Sequence, residues 1–120
     1  MTTVLLVALG AAVGAPLRYL TDRAVQARHD SVFPWGTFTV NVCGSLLLGF
    51  LAALPASPSV TALLGTGFCG ALTTYSTFSY ETLRLVQQGA RFYALLNVIA
   101  SVVAGLGAAA IGLLLAQAVN

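Results

Sequence analysis

The chain contains no lysine, and its five arginines face only three acids and one histidine in 120 residues. At 7% charged it lies far below the ~25% of soluble domains, and with 58% hydrophobic residues it reads as an integral membrane protein. So few ionisable groups leave no nucleophile–base pair, and an enzyme reading has no support. A net charge of +2 is too small to imply a nucleic acid or another polyanionic partner. Cys43 and Cys69 stand alone in apolar stretches without metal-ligand spacing, so they read as free, structural thiols. No carboxylate falls at the centre of an apolar stretch. Asp22, Asp30 and Glu81 lie toward helix ends or in loops, and His29 lies in a loop. A proton- or sodium-coupled transporter usually needs an ionisable group at the membrane midplane, and that group is missing. No small-residue cleavage site followed by a soluble domain appears, so the first apolar stretch is kept as a span.

What is there is apolar length. Windows matched to the roughly 20 residues that cross a bilayer predict four transmembrane helices in an all-α fold. The first runs from about Thr3 to Tyr19 and ends in the polar run Thr21 to Asp30, and the second runs from Trp35 to Leu54. Pro55-Ala56-Ser57-Pro58 turns the chain, the third spans Ser59 to Val86, Gln87-Gln88-Gly89 turns it again, and the fourth spans Arg91 to Gln117. No loop is long enough to form a domain, so residues 1–120 make one four-span unit.

The third span contains Gly67-Phe68-Cys69-Gly70-Ala71-Leu72-Thr73-Thr74-Tyr75-Ser76-Thr77-Phe78, a stretch ill suited to a continuous helix. Glycine and threonine are weak helix formers, and Ser and Thr hydroxyls compete for backbone hydrogen bonds. A helix broken near its middle at membrane depth survives only where protein, water or an ion satisfies the freed groups. The stretch therefore marks either a binding site or permeation path, or a small-residue face for close packing. In the first span, Gly10 and Gly14 form a small-xxx-small pair, Pro16 removes one backbone donor, and Arg18 is the deepest charge. Arg18 either snorkels to the headgroups or forms an electropositive vestibule.

In the second span Trp35 reads as an interfacial anchor, and Thr37, Asn41, Ser45 and Leu48 share one face. Asn41 either bonds another helix or offers its amide to an anion. Tyr75 and Phe78, three apart, share a face whose ring edges carry partial positive charge, with Ser76 and Thr77 adding hydroxyls beside them. Glu81 and Arg84 read as a local ion pair, and Asn97 and Ser101 share a face of the fourth span. This inventory of neutral donors without acids suits a dehydrated anion better than a cation. Four thin helices cannot enclose a pore alone, so the unit is expected to oligomerise, with its glycine faces as interfaces.

On these motifs, taken in order and spacing, the whole chain resembles the Fluc (CrcB-type) fluoride ion channel family. The matching segments are Gly14-Ala15-Pro16-Leu17-Arg18-Tyr19, Gly36 to Gly44 around Asn41, Gly67 to Phe78, and the fourth helix around Asn97. Each motif alone is weak; together on a four-span chain they are specific. The resemblance implies a fluoride-selective channel for passive fluoride export across the cytoplasmic membrane. It also implies an antiparallel, dual-topology dimer, with a structural sodium ion at its interface held by the backbone carbonyls of Gly70 and Thr73. Its pore residues fall on Asn41, Tyr75, Ser76, Thr77 and Phe78, with Asn97 and Ser101 matched more loosely, and its vestibule arginine on Arg18. One departure is Tyr75, where the family pattern has Phe; the ring edge is kept and a phenol is added.

Arg23, Arg28, Arg84 and Arg91 all flank the same side of the predicted topology, and the opposite side carries no Lys or Arg. The positive-inside rule then favours one orientation with both termini outside, a bias that suits one member of an oppositely inserted pair of paralogues. The expected partners are therefore fluoride, membrane lipid, and either a second copy of the chain or such a paralogue. A small multidrug antiporter of similar size is the first alternative, but it calls for a glutamate in the first helix, where Val7 to Val13 holds none. A non-transporting scaffold is the second, and it leaves the broken stretch and the neutral donors unexplained.

Overall fold

A computed structural model of the chain describes residues 2–28, 33–55 and 57–119, so His29, Asp30 and Ala56 lie outside the described residues. Regular structure among the described residues is entirely helical. The first helix, α1 (Thr2–Arg28), runs through Pro16 and well past Tyr19. The helix thus outlasts the apolar span, which was expected to end at Tyr19 or slightly beyond. Arg23, Ala24, Gln26, Ala27 and Arg28 are strong helix formers, and loss of apolar character stops the span without stopping the helix. Asp22 accordingly sits within α1 and not in a loop.

Helix α2 (Trp35–Ala53) starts at an aromatic knot. The Trp35 ring lies 4.6 Å from Phe33 and 5.9 Å from Phe38, the latter nearly perpendicular at 88°. Such a cluster at a helix end suits the membrane–water boundary.

The third segment begins at Ser57, whose hydroxyl accepts the Val60 N–H at 3.2 Å, with Pro58 in the first turn. From there α3 (Pro58–Val60) widens into a π-helical stretch, Thr61–Cys69, and ends in α4 (Gly70–Leu72). Thr73 and Thr74 are both extended, and the chain resumes as α5 (Tyr75–Gln87). The helix is therefore broken near the middle of the segment. Gly89, at φ +82°, ends α5 in a left-handed turn that few other residues adopt cheaply. Helix α6 (Arg91–Val119) completes the unit.

Three helices, α1, α2 and α6, are long and apolar enough to cross a membrane. The segment from 58 to 87 contains no unbroken helix of that length, because the break divides it. The unit measures 47 × 30 × 23 Å, and the long axis is comparable to a bilayer with its headgroups, about 40–45 Å.

Packing is dominated by α2 against α6 and by α1 against the π-helical stretch. Glycines set both approaches. A Cβ at Gly10 would strike the Leu63 carbonyl, one at Gly67 would lie 2.6 Å from the Val7 carbonyl, and those at Gly49 and Gly112 would strike the Ala109 and Leu46 carbonyls. These glycine faces are consumed within the subunit, which corrects their expected use between copies. Gly70 and Gly107, by contrast, face open space.

Gly49→Ala or Gly112→Ala should force α2 from α6 and cost about 1–3 kcal/mol, read as a lowered unfolding midpoint in detergent. Gly107→Ala, which meets nothing, should stay within about 0.5 kcal/mol of the parent.

Candidate functional site

The site is built around the break. Extended backbone at Thr73 and Thr74 takes their neighbours' N–H groups out of the helical ladder, and each freed group at this depth needs a partner. Asn41, reaching across from α2, supplies two of them. The Thr74 N–H donates to Asn41 Oδ1 at 2.8 Å, and Asn41 Nδ2 donates to the Thr74 carbonyl at 3.1 Å. The side-chain amide thus pairs with one residue's backbone as a neighbouring strand would. Thr74 also caps α5, its Oγ1 accepting the Thr77 N–H at 3.1 Å. Thr73 closes the other half, since both its N–H and its hydroxyl donate to the Cys69 carbonyl at 2.9 Å.

A hollow of ≈ 690 Å³ opens beside the break, and Asn41, Ser45, Tyr75, Phe78 and Ser101 are among its lining residues. Gly70 and Thr73 border the same space. Tyr75 and Phe78 are in ring contact, with centroids 6.3 Å apart, and Tyr75 is 83% exposed. The polar side chains around this hollow are amide and hydroxyl, and among the described residues no carboxylate lines it. Cys69 lines it as well, buried and free, whereas Cys43 is free and exposed.

A second hollow of ≈ 200 Å³ holds Arg18 with Tyr19, Asp22, Thr37, Val40 and Thr77, and it meets the first at Thr74. The predicted residues therefore divide. Asn41, Tyr75, Phe78 and Ser101 share one space, Arg18 and Thr77 share the other, and Ser76 is exposed and lines neither. The predicted polar face of α2 divides likewise, with Thr37 buried toward the Arg18 side. Glu81 has Arg84 as a charge neighbour, as its spacing suggests, but it also lies beside Thr37 and Asp22, and its Oε1 is buried without a hydrogen-bond partner among the described residues.

Asn97 is 1% exposed and lies behind the aromatic pair. Its Nδ2 donates to Thr82 Oγ1 at 2.8 Å, Thr82 donates to the Phe78 carbonyl at 2.8 Å, and Ser101 donates to Asn97 Oδ1 at 3.4 Å. This chain ties α6 to the second half of the broken helix, so Asn97 holds the wall and does not face the hollow. Two residues were missed by the sequence reading. Thr74 carried a signal, being a Thr just ahead of a helical run, the usual N-cap pattern. Thr82 carried a weaker one, sharing a helical face with Phe78 four residues before it. Among the described residues no three His, Cys, Asp or Glu side chains gather to hold a metal.

Comparison with known proteins follows the same lines. The family model described as CrcB-like protein, Camphor Resistance (CrcB), matches residues 5–113. The chain is 68% identical over 118 residues to a protein of Streptomyces avermitilis named fluoride-specific ion channel FluC 1, covering 95% of each. It is 65% identical over 124 residues to a protein of the same name from Frankia casuarinae, covering 96% of each. It is also 49% identical over 105 residues to fluoride-specific ion channel FluC 2 of Mycobacterium tuberculosis, covering 88% of this chain and 83% of that one.

Asn97→Leu should leave Thr82 without its donor and loosen α6 from α5, costing about 1–2 kcal/mol. Faster amide exchange confined to residues 78–87, together with a lower unfolding midpoint, would be the reading; unchanged exchange there would refute the tie.

Proposed function

The chain belongs to the CrcB-like family, and we propose that it forms a fluoride-selective channel through which fluoride leaves the cell passively, not an enzyme and not a coupled transporter. The observation that carries this reading is the break at Thr73–Thr74, opening on a hollow lined by amide and hydroxyl groups and, among the described residues, by no carboxylate. High identity to relatives named for fluoride over nearly the whole chain supports it.

Fluoride holds its hydration shell tightly, so a narrow path must replace water with donors. Arg18, which shares the smaller hollow with Asp22, is the cation that would draw anions to the entrance. Thr77, Thr74 and the positive end of the α5 dipole then lead toward Asn41. One N–H of the Asn41 amide is committed to Thr74, and the second, for which no other bond is seen among the described residues, would serve the anion. The edges of Tyr75 and Phe78 and the hydroxyl of Ser101 continue the lining, while the exposed Ser76 would join the path only in the assembled pore. Larger, less strongly bound chloride is excluded by the narrow aromatic passage.

The exposed Tyr75, the open face at Gly70 and the open side of the larger hollow support a second subunit completing the pore. We take that subunit to be another copy in the opposite orientation, an antiparallel, dual-topology homodimer in the cell membrane, with an oppositely inserted paralogue as the other candidate. The reading extends to a sodium ion at the dimer interface. The residues fit it. Thr74's N–H, which a continuous helix would return to the Gly70 carbonyl, goes to Asn41, and Thr77's, which would return to Thr73, goes to Thr74 Oγ1. Neither carbonyl keeps its helical donor, and both residues border the shared hollow, which supports their assignment as the oxygen ligands. A bound cation there would supply fixed positive charge between two facing breaks.

The test is fluoride efflux from liposomes containing only this chain, with potassium and valinomycin balancing charge. Fluoride loss without chloride loss is expected. Silence of the folded chain alone would refute the homodimer, and silence with a paralogue present would refute the channel. Asn41→Asp, which substitutes an acceptor-only group for a donor worth about 1.5–3 kcal/mol to an anion, should lower flux at least about tenfold. Unaltered flux in that variant would remove Asn41 from the path.

A further inference from the structure

We propose that Asn41 and Thr74 are positioning residues for the cation, holding the Gly70 and Thr73 carbonyls free by capturing the two amide N–H groups that would otherwise reclaim them. This rests on the sodium reading above and adds to it a cause for the ligands' availability.

A carbonyl inside a helix has one ordinary claimant, the N–H four residues on. For Gly70 that claimant is Thr74, and its N–H is held 2.8 Å from Asn41 Oδ1. For Thr73 it is Thr77, and its N–H is held 3.1 Å from Thr74 Oγ1. The two captures are linked. Asn41 Nδ2 also holds the Thr74 carbonyl, so one amide fixes both sides of the residue whose hydroxyl makes the second capture. Thr74 is 7% exposed, so water is a poor substitute for either partner. Without Asn41 the Thr74 N–H loses its acceptor, and the Gly70 carbonyl is the acceptor that a continued helix would offer it. Asn41 therefore has two separable tasks: its Oδ1 keeps the cation ligand exposed, and its spare N–H faces the anion. Residues that orient metal ligands in this way are typically worth about 10- to 100-fold in metal affinity.

The two tasks come apart by substitution. Asn41→Asp keeps an acceptor for the Thr74 N–H and loses the donors; Asn41→Ala loses both. Thr74→Ser keeps the cap, and Thr74→Ala loses it. The measurement is sodium-dependent thermal stabilisation of the purified full chain in detergent, titrated against N-methylglucamine at constant ionic strength. Asn41→Ala and Thr74→Ala should each raise the sodium midpoint about 10- to 100-fold, with Asn41→Asp and Thr74→Ser staying near the parent. Asn41→Asp should thus lose flux yet keep sodium, a split that a purely structural role would not produce. Parent-like sodium midpoints in folded Asn41→Ala and Thr74→Ala would overturn the inference. If Asn41→Ala does not fold, the Thr74 pair decides alone. No sodium response in a parent chain that still conducts fluoride would overturn the cation reading and this inference together, and would leave the channel reading standing.

Discussion

Backbone groups cannot be left unpaired in hydrocarbon, and the architecture follows from how this chain meets that constraint at Thr73–Thr74. Breaking a helix there exposes N–H and carbonyl groups that each cost several kcal/mol if nothing takes them up. Asn41 takes up two, the Thr74 hydroxyl a third, and the Cys69 carbonyl receives two donors from Thr73. Residues on both sides of the break, Gly70 and Thr73 before it and Tyr75 and Phe78 after it, border one hollow, and the positive end of the α5 dipole lies at the start of the second half.

Rigidity around that break comes from glycine. Gly10, Gly14 and Gly67 bring α1 against the third segment, and Gly49 and Gly112 bring α2 against α6, so the element carrying Asn41 is held from behind. Dispersion over such close approaches drives association where lipid offers no hydrophobic difference. The Asn97–Thr82–Phe78 hydrogen-bond chain does the same for α5 with directed contacts, fixing the backbone beneath Phe78. The apolar residues left outward on α6, Val103, Leu106 and Leu114 among them, suit acyl chains or another protein surface.

Much of this was legible in the residues. The apolar windows located the helices, the Gly67–Phe78 stretch located the break, and the spacing of Tyr75 and Phe78 predicted their ring contact. Other features were hidden for physical reasons. The reach of α1 to Arg28 was missed because hydropathy reports solvent and not backbone geometry. Helical spacing put Thr37 and Asn41 on one face, but the packing of α1 and α5 assigns them to different hollows. Of the two readings open for Asn41, the bond to another element is the one seen, in its pairing with Thr74, and composition does not reveal which backbone group an amide will reach. The place of Glu81 beside its tertiary neighbours Thr37 and Asp22 is one that no local pattern announces.

The division of the third segment also bears on how the chain is made. Neither half, 58–72 nor 75–87, is long enough to cross a bilayer by itself, and the second half begins with hydroxyl residues that lipid disfavours. Synthesis delivers α2 first, so the Asn41 amide already waits in the membrane when Thr74 emerges, and α6 follows with Asn97 to receive Thr82. A break that would hinder insertion of a solitary helix is thereby matched, on both flanks, by partners whose order along the messenger is the order in which they are needed.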